Sequence, residues 1–271
     1  MFWSKLVEFG NSVLRAGVFM LGCFLLIAAW EWWAGRSLKH YASRHFVVDL
    51  CYRLAFIVYV GMMWNPMVDV IATGIPGLKR SVLNAAPLWI SLPVYWLVFD
   101  FLSYWIHRAQ HSRLWWRFHR VHHSQERMTF ASAFRNHPID QLFALSVTAV
   151  PGMLLGAPAV SWLPYSFLLA FVDATHHANL PWRFGPLRKV FVSPVFHAQH
   201  HSPDRAVHDR NFGGLFSFWD FLFGTAYDAE RLPERTGVAG WQVRESFWAH
   251  LWSPFQRDAI AVEHRERRAG E

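Results

Sequence analysis

Residues 107–123 read HRAQHSRLWWRFHRVHH, and no other stretch restricts this chain as much. It holds five of the sixteen histidines. His107 and His111 are four apart, and His119, His122 and His123 form H-x-x-H-H. Residues three and four apart share a helix face, so the pair and the trio should each turn their imidazoles into one space. The pattern returns as His197-Ala198-Gln199-His200-His201. With 16 His in 271 residues, chance supplies roughly 0.06 such matches; two are present. Imidazole ligates iron, zinc, copper and nickel. A structural zinc site closes with four ligands and usually uses cysteine. Eight or more clustered histidines exceed one tetrahedral ion and suit two metals. The two cysteines, Cys23 and Cys51, both lie in apolar segments. They read as small buried hydrophobes and give no disulfide framework or Cys-based metal site.

The surroundings are apolar. The chain is 53% hydrophobic, with 16 Trp and 24 Phe, more than a soluble domain of this size usually carries. A net charge of +7 would suit nucleic acid on a solvated face. Here Lys and Arg lie between long apolar runs, so the expected surface partner is the lipid bilayer and no nucleic acid. The expected fold is all-α: an integral membrane helical protein of about four to five spans, including a helical hairpin. A cytosolic histidine-rich helical cap would hold a dinuclear metal site. Residues 1–271 form one domain in this reading, with a charged tail at 257–271.

Taken in order, residues 1–11 predict a short interfacial helix. Ala16–Trp30 predicts the core of a first span, with Trp30, Trp32 and Trp33 at its exit. The second apolar segment runs from Phe46 to Trp64. Asp49 and Arg53 within it are four apart and predict a pair on one helix face, as an interfacial salt bridge rather than a functional charge. Residues 65–81 are a turn-rich connection. Val82–Ile106 predicts a third apolar segment, kinked by Pro87 and Pro93, that runs directly into His107. Asp100, about two turns before His107, either orients an imidazole or makes a helix-end contact. Residues 140–175 predict the hairpin, broken by PGMLLGAP at 151–158 and returning so that His176, His177 and the second box meet the first. Both histidine regions and the 31–45 loop then share one side, and the basic residues make that side cytoplasmic. Residues 178–240 are loop-rich, and Trp241–Phe255 predicts another interfacial helix. His40, His45, His250 and His264 stand alone and receive no metal role.

A polyhistidine site at a membrane face suits a redox metal. Two irons, supplied with dioxygen and external electrons, can attack an unactivated C–H bond of an apolar substrate arriving laterally from the bilayer. Soluble di-iron proteins commonly use Glu and His on a helix bundle; a nearly all-His set would be a membrane counterpart. The order H-x-x-x-H, H-x-x-H-H, H-x-x-H-H resembles the fatty acid hydroxylase/sterol desaturase superfamily of integral membrane di-iron oxygenases. FRNHPID at 134–140 and DRNFGGLFSFWDFLFGT at 209–225 resemble segments that follow its second and last boxes. The resemblance covers the histidine-box region, about 95–226.

The resemblance implies His107, His111, His119, His122, His123, His197, His200 and His201 as ligands and catalytic-site residues. Through H-A-N at 177–179 it adds His177. Some members carry a further histidine four residues earlier, where this chain has Asp173 beside His176. Either Asp173 ligates or supports a ligand, or His176 takes its place, or the position has no ligand. His137 and His208 are left between metal-linked and structural roles, and Asp209 and Asn211 are expected to hydrogen-bond nearby loops or imidazoles. The implied cofactors are two non-haem iron ions, with O2 as co-substrate. The implied substrate is a membrane lipid, such as a sterol or hopanoid or a fatty acyl lipid, with hydroxylation ahead of desaturation. The chain shows no haem-binding cytochrome domain and no Cys-rich electron-transfer site. Its electrons are therefore expected from a separate ferredoxin, cytochrome b5-like protein or reductase. A membrane zinc-dependent enzyme is the first alternative, though no H-E-x-x-H occurs; a metal transporter is the second, though it should place histidines within spans. The compact length, without an evident retention signal, favours a multi-pass protein of the bacterial inner membrane.

Overall fold

The computed structural model describes residues 2–59, 86–145 and 162–256. The helices are α1 (Phe2–Trp33), α2 (Arg44–Tyr59), α3 (Leu88–Gln110), α4 (Trp116–His123), α5 (Trp162–His177), α6 (Pro194–His200), α7 (Phe218–Phe223) and α8 (Phe247–Trp252). The chain is also helical over 138–145. No strand occurs among the described residues, and one isolated bridge joins Phe191 to Phe216.

Two stretches among the described residues are long and apolar enough to cross a membrane. Val13–Trp33 has a mean hydropathy of 2.1 and Trp89–Gln110 a mean hydropathy of 1.2. The expected interfacial helix at 1–11 and first span at Ala16–Trp30 prove to be one continuous helix, α1. Gly10 and Asn11 lie inside it and do not stop it. Leu14, Val18, Leu21 and Leu25 point outward on α1. Its opposite face buries Ala16, Cys23, Ile27 and Glu31, a helical spacing. Cys23 and Ile27 pack on Phe130, Ala131, Ala174, Ala178 and Leu180. Glu31 is fully buried and tied down: it accepts from the Asn179 backbone N–H at 2.7 Å and lies 3.0 Å from His40 Nε2. Arg36 donates to Asn179 Oδ1 at 2.7 Å. These contacts place the 34–45 loop at the same end of the helices as His177.

Several expectations require correction. Asp49 does not pair with Arg53. Its carboxylate takes the Nε of Arg135 and the hydroxyl of Ser132, because a fully buried carboxylate gains more from a cation that is itself buried. Cys51 is exposed rather than buried, on the same outer face of α2 as Val47 and Leu54. Pro87 precedes α3 instead of kinking it, and only Pro93 lies inside that helix. Asp100 orients no imidazole. It accepts from the backbone N–H of Leu215 and Phe216 and from Trp219 Nε1, clamping the 213–219 turn onto α3. The expected helix over Trp241–Phe255 is only α8 followed by a short 3₁₀ turn. The 60–64 end of the second segment, the 65–81 connection, the 151–158 break and the 257–271 tail, with His264, lie outside the described residues.

Candidate metal centre

Nine histidines gather at the ends of α3, α4, α5 and α6 in two groups. His107, His111, His119, His123 and His200 form one; His122, His177, His197 and His201 form the other. Within each group one ligand atom per residue lies within 4.8 Å of every other. The boxes do not each face one space, as their spacing suggested. Each is divided: His119 and His123 turn to the first group and His122 to the second, while His197 and His201 turn to the second and His200 to the first. Residues four apart lie nearly above one another on a helix, whereas sequence neighbours diverge by about 100°. A box of this spacing on a helix lying between two sites feeds both.

Hydrogen bonds set the imidazole orientations. Nδ1–H donates to the carbonyl of Phe212 from His107 (2.9 Å), of Arg135 from His122 (3.2 Å), of Asp173 from His177 (2.8 Å) and of Arg210 from His200 (2.6 Å). His119 Nδ1 lies 2.9 Å from Asp140 Oδ2, and His111 Nδ1 lies 3.2 Å from Asp209 Oδ1. With the proton held on Nδ1, the Nε2 lone pair faces inward. The Nε2 atoms of His107, His119, His123 and His200 are buried without a hydrogen-bond partner among the described residues. In the second group the Nε2 atoms crowd together: His197 lies 3.1 Å from His177 and 3.1 Å from His201. Unpaired buried acceptors are costly, and lone pairs that converge repel unless a cation lies between them. Burial first, then the neighbouring imidazoles, hold His122, His123, His197, His200 and His201 well below the ordinary histidine value. They are therefore neutral, the form that ligates a metal. The donor set fits two ions with imidazole ligands.

The remaining candidates fall elsewhere. Asp173 belongs to neither group; its carboxylate lies 3.3 Å from His177 Nδ1, beside the ring it steadies. His176 is buried, its ring 6.0 Å from that of His197, and also belongs to neither. His137 uses both nitrogens structurally, Nε2 toward the Leu251 carbonyl and Nδ1 accepting from Ile139 N–H. His208 is exposed. Asn211 bridges the Phe196 and Tyr227 carbonyls. Asp209 and Asn211 both adopt positive φ, 55° and 59°, which Asp and Asn tolerate better than most residues.

Two positioning residues escaped the sequence reading. Asp140 holds His119 and accepts from Gln110 Nε2 at 2.8 Å. Its traces were its place at the end of FRNHPID and at the edge of an apolar stretch, a pattern that flags function. Asp140→Ala is expected to weaken metal binding by roughly 10- to 100-fold, read by metal titration of the stripped protein. Asp220 is the second: its carboxylate accepts from Phe212 N–H and Gly213 N–H and so sets the carbonyl that holds His107. At Gly213 an added Cβ would stand 2.6 Å from the Phe216 carbonyl oxygen and 2.9 Å from Asp220 Oδ2. Gly213→Ala is expected to cost about 1–3 kcal/mol, read by thermal unfolding in detergent.

A cavity of about 610 Å³ touches both groups through His107, His119, His122, His177 and His197. Phe99, Ile106, Phe134, Leu169, Val172 and Leu215 give it apolar walls. Its size lies within the usual range for small-molecule sites.

Residues 92–225 match the fatty acid hydroxylase family. The chain is 37% identical over 164 residues to an ornithine lipid hydroxylase of Rhizobium tropici, covering 59% of this chain and 49% of that protein. It is 30% identical over 177 residues to the alkylglycerol monooxygenase of Danio rerio, covering 62% of this chain and 39% of the relative. A methylsterol monooxygenase of Arabidopsis thaliana is 25% identical over 219 residues, 77% of this chain and 74% of that protein. The chain thus spans half or less of the length of the first two relatives. No solved structure matches it.

Proposed function

We propose, for a chain that belongs to the fatty acid hydroxylase family, that it is an O2-dependent membrane lipid hydroxylase. One observation carries this reading: nine imidazoles converge as two groups at the end of an apolar cavity. Hydroxylation is preferred to desaturation because the relatives are named as hydroxylases or monooxygenases. His107, His111, His119, His123 and His200 would hold one iron, and His122, His177, His197 and His201 the other. Two such irons would supply dioxygen activation with electrons from a separate donor protein.

The protein's own residues do the rest. Backbone carbonyls hold the Nδ1 protons of His107, His122, His177 and His200, and Asp140 and Asp209 stand at the Nδ1 atoms of His119 and His111, so these ligand nitrogens are set before metal arrives. The apolar walls admit a lipid chain and exclude water from the reacting end. Exposed leucines and tryptophans on α1 and α3 favour a site reached from the bilayer. The cap would face the cytoplasm, in a bacterial inner membrane. A zinc hydrolase fits less well, since such enzymes use an acidic general base and both groups contain only histidine.

The test is elemental analysis and lipid-dependent oxygen uptake of the detergent-purified protein, beside His122→Ala/His200→Ala, which removes one imidazole from each group. Bound iron with oxygen uptake, both lost in the variant, supports the proposal. Zinc that persists, with no oxygen uptake after iron reconstitution, overturns it.

A further inference from the structure

Among the described residues lining the cavity, Arg53 is the one cation. The partner its spacing suggested, Asp49, is committed to Arg135 and Ser132. No ion pair to Arg53 exists among the described residues, and its Nε is buried without a hydrogen-bond partner. What it has is aromatic: its guanidinium carbon lies 4.3 Å from the centre of the Phe134 ring and 5.7 Å from that of Phe56. The two acids that line the same cavity are already engaged. Asp100 is bound to the 215–219 turn, and Asp173 sits against His177.

The placement follows from helix geometry. Arg53 lies nine residues into α2, about 13 Å from its start. Helical side chains lean toward the N-terminus, here the end that meets the histidine cap. The side chain therefore reaches back toward the cavity instead of out into lipid. A guanidinium in a cavity with apolar walls is costly unless an anion meets it. Cation–π contact on one face returns only about 0.5–2 kcal/mol and leaves the planar N–H edge available. That edge matches two oxygens of a carboxylate or phosphate.

We propose that Arg53 anchors the substrate, and that the lipid carries an anionic oxyacid group, carboxylate or phosphate, inside this cavity. The inference rests on the reading of the cavity as the substrate site.

The test is equilibrium binding to the iron-loaded full chain in neutral detergent, with palmitate, hexadecyl phosphate and hexadecanol as probes of equal chain length. The wild type is expected to bind at least one anion about tenfold or more tighter than the alcohol, the gain of a charge-assisted pair. Arg53→Gln should lose that preference while hexadecanol binding and iron content stay unchanged. Arg53→Lys, which keeps charge but not the planar fork, should retain a reduced preference. The two anions separate the carboxylate from the phosphate source. Absence of anion preference in the wild type overturns the proposal whatever the variants do, as does a preference that survives in Arg53→Gln. Oxygen uptake, followed in parallel, separates the two readings. Anion preference without oxygen uptake sinks the hydroxylase, and oxygen uptake without anion preference sinks the role of Arg53.

Discussion

His197→Ala is expected to strip the second histidine group of its metal and abolish turnover. His197 Nε2 lies 3.1 Å from the Nε2 atoms of both His177 and His201, so alanine removes the central donor of that group. Metal content should fall to about half, since the first group contains no atom of His197 and each group holds one ion in the proposed function. Activity should fall by about 10³-fold or more, because a catalytic metal contributes several kcal/mol to the transition state. His176→Ala is the matched control, buried nearby but in neither group. It should keep full metal. Equal metal loss in both variants would show that the division into two groups is wrong.

The second large effect is expected at Arg135. This side chain is fully buried and joins three parts of the fold. It meets Asp49 on α2 and Glu245 ahead of α8, and it donates to Ser124 Oγ just beyond α4 at 3.2 Å. Its own carbonyl accepts from His122 Nδ1. Arg135→Met leaves the Asp49 carboxyl buried with no cation beside it, so it must take up a proton or stay as an uncompensated charge. Breaking such a pair costs about 3–5 kcal/mol, far more than loss of a surface ion pair. The expected result is a large drop in thermal unfolding temperature in detergent, together with weaker metal binding through the misplaced His122. Adding Asp49→Asn should recover part of the stability, since it removes the stranded charge. A loss below about 1 kcal/mol in the single variant would mean that water reaches this network.

Much of the architecture was legible because it is local. Apolar runs spaced for helices gave α1 and α3, and short histidine spacings named eight of the nine imidazoles; the ninth, His177, came from the family resemblance through H-A-N. The turn-forming DRNFGG sequence marked where Asp209 and Asn211 would support the boxes. Asp49 misled because four-residue spacing identifies a neighbour without ranking it against a residue 86 positions away. Arg135 won, being buried beside it. Asp100 stayed open between an imidazole and a polar contact because helix phase alone cannot choose; backbone N–H groups of a distant turn hold it.

By itself, then, the sequence determined helical apolar segments and an inventory of candidate ligand imidazoles, since helix phase and side-chain chemistry act within a turn or two. Only the tertiary structure decided how each H-x-x-H-H box divides between two groups, which carbonyl or carboxylate meets Nδ1 in six of the nine rings, and that Arg53 faces the cavity with no acid paired to it among the described residues. Those outcomes depend on competition among groups far apart in the chain for the same buried space. Burial makes the competition decisive, because each polar group without water must find its partner within the protein.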